Sequence, residues 1–384
     1  MEKLIGRAGE IKVLQEALLS DETELIAIYG RRRVGKTFLV RNVYQKHMAF
    51  EFTGVHSRGM KDLLQNFSFA LKAAKGSKVD LAVPGNWNDA MHVLQNFLDP
   101  VVQKKKIVIF FDEFPWIHTQ KSNFLSAFEH FWNAWAAKKT NLKVVICGSS
   151  ASWMIRNIVK SKGGLHNRVS RRIRLLPFNL HETEAYLKSR SVKLDHYHIL
   201  QIYMAIGGIP QYLKAIKPGQ SAAQAIDSLC FSKNGTMVDE FNNLYASLFD
   251  NAGAHISIIK ALAKKTKGLT RNEIMDVCKL SSGGTATLLL KELTESGFIM
   301  PFIPFEKTSK DTIYKLYDEF SMFYLKFMVG KHAAGTWLTM SQSSSWKSWS
   351  GFAFESICLK HVSQIKEALG IGGILTTESV WRYA

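Results

Sequence analysis

At 384 residues the chain is too long for one compact core, and 46% hydrophobic with 21% charged residues is ordinary for a soluble globular protein of several domains. No window approaches the roughly 18 uninterrupted apolar residues of a membrane span, and Met1 to Gly9 lacks the apolar core of a secretory signal, so a cytoplasmic protein without a membrane partner is expected. The net charge of +18 favours phosphate-bearing partners, while four scattered cysteines with no C-x-x-C pair argue against a zinc site or a disulfide framework.

In chain order, the first strong element is Glu24–Tyr29, a short apolar run that reads as a buried strand. It runs into Gly30, Arg31, Arg32, Arg33, Val34, Gly35, Lys36 and Thr37, which match G-x-x-x-x-G-K-[ST], and a helix is expected from Phe38 to Gln45. Strand, glycine loop and helix are the context this motif needs. Glycines let the backbone wrap a β-phosphate, and the loop N–H groups with the helix N-terminus point at the anion. Lys36 would reach the β- and γ-phosphates and Thr37 would ligate Mg²⁺. The expected ligands are therefore a nucleoside triphosphate and Mg²⁺. Arg31, Arg32 and Arg33 either add charge near the γ-phosphate or face solvent.

The second strand signal is Ile107–Phe111, five apolar residues that predict a strand buried on both faces of a parallel sheet, followed by Asp112 and Glu113. Carboxylates at that end lie where open α/β sheets bind ligands. Asp112 would hold Mg²⁺ and Glu113 would orient or deprotonate the attacking water. Phe124, Phe128, Phe131, Trp132 and Trp135 are spaced as one face of an amphipathic helix, read as core, with a partner surface as the alternative. A third strand, Leu142–Cys147, leads to Gly148-Ser149-Ser150. Ser149 is the candidate γ-phosphate sensor, and capping of the next helix by Ser149 or Ser150 is the competing role.

Acids are absent from Ala151 to Phe178, where Arg156, Lys160, Lys162, Arg168, Arg171, Arg172 and Arg174 lie, and again from Asn251 to Asn272, beside Lys260, Lys264, Lys265, Lys267 and Arg271. These stretches are either solvated faces or a duplex-DNA footprint. His181–Lys217 reads as a helical lid interrupted at Gly207-Gly208. From Ala254 the rhythm changes: a helix over Ile256–Ala263, a capping box at Thr270 and Glu273, a helix ending near Lys279, and a third starting at Ser281 or Ser282. Gly297–Pro301 and Ile313–Tyr317 would be wing strands, completing a winged helix-turn-helix. The third helix carries only Lys291 as a basic residue, so DNA reading competes with a packing or protein-interaction role.

The motifs in this order, with Ile5-Gly6-Arg7 and Glu10 before them and Gly207-Gly208-Ile209-Pro210 after them, resemble the archaeal-type ATPase family of prokaryotes, in the STAND branch of AAA+-related NTPases. The resemblance implies an α/β fold: a P-loop NTPase parallel sheet with helices on both faces, then a helical lid and a winged helix-turn-helix domain. It implies that Gly6, Arg7 and Phe38 lie near the nucleotide, that Arg168 acts on the γ-phosphate, and that Pro210 packs on the nucleotide from the lid. Asn167 replaces the family's glycine before that arginine, so Arg171 and Arg172 stay open for the role. The expected divisions are 1–178 ATPase, 179–250 lid, 251–318 winged helix and 319–384 the start of a domain similar to PD-(D/E)XK nucleases. The resemblance further implies that this last domain is truncated. After Glu355 the only acids are Glu367 and Glu378, so its metal ligands are missing. An ATP-driven switch, with a nucleotide-dependent oligomer or protein partner, competes with a DNA-binding regulator that holds ATP and with a fragment of an ATP-gated nuclease.

Overall fold

The structure, a computed structural model, describes residues 3–119, 121–159, 163–165, 167–249, 252–281, 284–330 and 333–376. Lys160, Lys162, Asn251, Ser282 and Glu378, named above, lie outside the described residues. The chain divides into two compact units, Met1–Leu175 and Leu176–Ala384.

The first unit comprises α1 (Ala8–Leu19), β1 (Glu24–Tyr29), α2 (Lys36–Tyr44), β2 (Met48–Thr53), α3 (Met60–Lys75), α4 (Trp87–Val102), β3 (Ile107–Asp112), α5 (Phe114–Ile117), α6 (Phe124–His130), β4 (Leu142–Gly148), α7 (Ala151–Met154) and β5 (Arg171–Arg174). Its five strands are parallel, in the order β2-β3-β4-β1-β5. Side chains alternate along a strand, so one covered face would bury every second residue. Every residue of β3 and β4 is buried, so both faces are covered. Leu25, Ile107, Ile109, Phe111, Val144 and Ile146 pack with α3, α4 and α6 residues in one core. Ile26, Ile28, Val108, Phe110 and Val145 are equally buried.

The aromatic stripe is core. Phe124, Phe128 and Phe131 are fully buried and Trp132 nearly so, and α6 continues as a π-turn over Phe131–Trp135. The two strands that the apolar-run reading does not mark are β2 and β5. In β2 only Phe50 and Phe52 are buried, in alternation, and β5 reads Arg-Arg-Ile-Arg with only Ile173 buried.

The second unit opens with α8 (Leu180–Ser189), α9 (His196–Ile206), α10 (Pro210–Leu213), α11 (Ala222–Cys230) and α12 (Glu240–Ala246). Next come α13 (Ala252–Ala263), β6 (Leu269–Thr270), α14 (Arg271–Cys278), α15 (Gly284–Glu295), β7 (Ile299–Phe302) and β8 (Ile313–Leu316). The Thr270–Glu273 capping box starts α14, and β6-β8-β7 form an antiparallel sheet. This stretch therefore holds three helices and a three-stranded antiparallel sheet.

The C-terminal segment does not stand apart. α16 (Glu319–Phe323), α17 (Thr336–Met340), α18 (Ser344–Lys360) and α19 (Val362–Ala368) belong to this same unit, and α16 and α18 pack on α9 and α17 on α11. The Asp227 carboxylate of α11 accepts from the Gly335 and Trp337 N–H groups, each at 2.8 Å. Trp337 stacks on Phe231, buried Glu319 pairs with Lys360, and the His361 ring accepts from the Leu180 N–H at 3.0 Å. No strand follows Leu316 among the described residues, and no helix among them is long and apolar enough to cross a membrane.

A buried carboxylate making two charge-assisted bonds contributes about 2–4 kcal/mol. Asp227→Ala should lower the stability of the second unit by that order, read as an earlier denaturant midpoint of the Trp337-rich core by tryptophan fluorescence.

Candidate phosphate-binding site

The loop between β1 and α2 is shaped by what lies against it. A Cβ on Gly30 would sit 2.2 Å from the Leu175 carbonyl oxygen, because the Leu175 N–H bonds the Tyr29 carbonyl as β5 leaves the sheet. Gly35, in a left-handed conformation, precedes α2, whose first turn carries no acid to oppose an anion. The Lys36 side chain folds back over the loop, its Nζ donating to the Gly30 and Arg31 carbonyls at 2.9 and 3.0 Å and to Ser149 Oγ at 3.2 Å.

Two acids come from the end of β3. Thr37 Oγ1 donates to Asp112 Oδ2 at 2.7 Å, and the Glu113 N–H donates to Asp112 Oδ1 at 3.0 Å. Glu113 is left-handed (φ 46°), a strained backbone for a non-glycine residue. Gly54 makes room for it: its N–H bonds the Asp112 carbonyl, and a Cβ there would lie 2.5 Å from the Glu113 carbonyl oxygen. Ser149, just past β4, donates its N–H to Glu113 Oε2 at 3.1 Å and its hydroxyl to Oε1 at 2.5 Å. Ser149 Oγ therefore joins the loop lysine to the β3 glutamate. Ser150 is the N-cap of α7 but makes no side-chain capping bond.

Burial pushes the Asp112 carboxyl above the ordinary carboxylate range, and the Thr37 hydroxyl partly offsets this. Burial also raises the Cys147 thiol far up, so no thiolate stands beside the acids. The Thr37 hydroxyl and Asp112 carboxylate are a hard-oxygen pair of the kind Mg²⁺ prefers, so the residues fit that ion.

The three loop arginines have three settings. Arg31 is buried, Arg32 lies 5.1 Å over the Trp116 ring, and Arg33 is exposed in a left-handed turn. Val34 is buried and Phe38 is exposed on the first turn of α2. Gly6 and Arg7 precede α1, and the buried Arg7 guanidinium donates to the Val34 carbonyl at 3.1 Å, bracing the loop from outside.

Arg168 is not brought to the loop of its own chain. The Ser170 N–H bonds the Leu25 carbonyl at the start of β1, and β5 then runs parallel to β1 with Arg174 beside Tyr29. Exposed Arg168 thus lies at the opposite edge of the sheet, separated by four strand residues, roughly 13 Å of β1. Arg171 starts β5 beside a buried Glu24 carboxylate, at 3.6 Å. Pro210 opens α10 in the second unit. Composition and motif reading miss Gly54, which packs against Glu113, and do not single out the contact of Trp116 with Arg32.

The family described as an ATPase domain predominantly from Archaea matches residues 4–216. The chain belongs to this family. It is 26% identical over 368 residues to an uncharacterized protein of Methanocaldococcus jannaschii, MJECL04, covering 94% of this chain and 78% of that one. Among solved structures it is similar to the Walker-type ATPase PABY2304 of Pyrococcus abyssi, with a TM-score of 0.60 at 16% identity over 84% of this chain and 96% of that one. The ORC2 protein of Aeropyrum pernix, solved as ADPNP–ADP complexes, gives 0.47 at 16% identity, over 84% of this chain and 93% of that one. The chain is an ATPase, built on an α/β P-loop fold with a five-stranded parallel sheet.

If Ser149 holds Glu113 in place, Ser149→Ala should lower kcat for ATP about 10- to 100-fold and leave KM within a few-fold in steady-state assays. A buried ionised carboxylate costs stability, so Asp112→Asn should raise or preserve the thermal midpoint while activity is lost, read by calorimetry beside the assay.

Proposed function

We propose that this ATPase hydrolyses ATP with Mg²⁺ bound and uses the change of nucleotide state as a STAND-type conformational switch. The observation that carries this reading is the serine bridge: Ser149 Oγ contacts both Lys36 and Glu113. A protein that only holds ATP needs no carboxylate fixed beside the phosphate lysine. In the proposed reaction the loop N–H groups and Lys36 bind the β- and γ-phosphates. Glu113 accepts the proton of the attacking water as the γ-phosphate leaves ADP. Thr37 and Asp112 would hold Mg²⁺, which when bound neutralises charge on the phosphate oxygens. Ser149 releases Glu113 or holds it according to what Lys36 contacts, linking phosphate occupancy to the base. Arg32, Arg33 and Phe38 flank the nucleotide, Arg7 and Gly6 fix the loop behind it, and Pro210 serves the lid.

Arg168 fits a role on the nucleotide of a second copy, since its own loop lies at the far edge of the sheet. That reading expects specific activity per chain to rise with protein concentration, and Arg168→Ala to flatten the rise.

A duplex-DNA regulator finds less support in α15, where Lys291 is the one basic residue and Glu292 is tied to buried His255 at 2.9 Å. Steady-state turnover with Mg²⁺, with and without duplex DNA, tests both readings. Glu113→Gln should cost about 10²–10⁴ in kcat while ATP still binds, and Lys36→Ala should lose ATP binding. Wild-type turnover no faster than that of Glu113→Gln would remove the glutamate from the chemistry.

A further inference from the structure

A second concave site lies within the second unit, far in sequence from the phosphate loop. It is a groove of about 1010 Å³ between the end of α13, strand β8, the turn after α16 and the first half of α18. Its cationic wall is Lys260, Lys264, Lys265, Lys315 and Lys326, against Glu355 as the single acid. Lys315 pairs with that acid at 3.4 Å. Among the described residues the other four lysines have no carboxylate partner within ion-pair distance, and all four are exposed. Lysines at the end of α13 suit its helix dipole, but Lys315 and Lys326 come from other elements and converge on the same space.

The far wall differs in kind. Ser344, Ser345 and Ser348 line the groove from the first turns of the 17-residue α18, which carries no acid there. Ser343 Oγ already accepts from the Trp346 N–H, and the serine hydroxyls beside this helix start suit a phosphate oxygen. Below them Trp349 and Phe352 form an apolar floor. Trp349 is fixed from within by Phe323, Phe327 and Trp346. Phe352 is 51% exposed and has no ring partner among the described residues.

We propose that this groove binds single-stranded nucleic acid, with phosphates on the lysines and the α18 N-terminus and a base against Phe352. Backbone-tracking cations beside an open aromatic face are what a single strand needs. A duplex keeps its base faces stacked inside and leaves the aromatic floor without a partner. An acidic peptide satisfies the lysines but has no planar group for Phe352. The proposal does not rest on the ATPase reading, because its residues lie outside the phosphate loop.

The test is a fluorescence-anisotropy titration of the full chain with a labelled 15-nucleotide strand at several salt concentrations. Lys264→Ala/Lys326→Ala should weaken binding at least tenfold and flatten the log–log salt slope by about 1.4, the release from two phosphates. Phe352→Ala should weaken binding about tenfold with the slope unchanged. Circular dichroism and ATP turnover on the same samples should match wild type, which separates loss of the groove from loss of fold. The proposal is overturned if Lys46→Ala/Lys61→Ala, exposed lysines of the first unit, cost as much as the groove pair. It also fails if wild type does not bind the strand, if the groove variants bind it like wild type, if a duplex of the same length binds equally well, or if polyglutamate displaces the strand at matched charge.

Discussion

Every residue of β4 is buried, and the strand is hydrogen-bonded along both edges, to β3 on one side and β1 on the other. A strand in that position has no solvated face, so its seven residues must satisfy packing on both sides while its ends meet water. The phosphate site depends on this placement. β1 delivers Lys36 through the loop, β3 delivers Asp112 and Glu113, and only a residue leaving β4 lies between them. Ser149 holds that position. A serine there is polar enough to answer an ammonium and a carboxylate together.

The opposite edge of the same sheet is held by lysines in a structural role. Lys143 of β4 is fully buried, and its Nζ donates to the Ser20, Glu22 and Thr140 carbonyls. Burial lowers its pKa, so the ring of carbonyls has to compensate for lost water. Lys106, which leads into β3, reaches the Leu19 and Ser20 carbonyls and Asp21. Lysines at the start of β4 and just before β3 therefore close the turn between α1 and β1. In this chain positive charge closes turns at one end of the sheet, while at the other Lys36 folds over the loop carbonyls and Ser149.

The second unit follows a different rule. Its core is aromatic, and its buried charges are paired locally: Asp227 with two backbone N–H groups, Glu319 with Lys360. Removing one partner of such a pair leaves a buried charge without its counterpart, which is far costlier than losing a surface bridge. These contacts fasten the last described helices onto α9 and α11. The C-terminal segment is thereby part of the fold of this unit.

The sequence alone determined the features that rest on local geometry. A G-x-x-x-x-G-K-T run between an apolar strand and a helix dictates its own backbone path, and the runs Ile107–Phe111 and Leu142–Cys147 have no alternative to a doubly covered sheet. The Thr270–Glu273 box and the aromatic spacing from Phe124 to Trp135 are equally self-contained, and each is met in the structure. Strand β2 was not read from the sequence, since only Phe50 and Phe52 alternate in it and no apolar run marks it. β5 was not either, because Arg-Arg-Ile-Arg has no apolar period and becomes a strand only by pairing with β1. The tertiary structure also decided which polar side chains meet. Ser149 lies 113 residues from Lys36 and 36 from Glu113 in sequence, and Arg168 precedes β5 at the end of β1 away from the loop. The physical reason is that hydrophobic period and glycine geometry are properties of neighbouring residues, whereas the partner of a charge or hydroxyl is set by strand order.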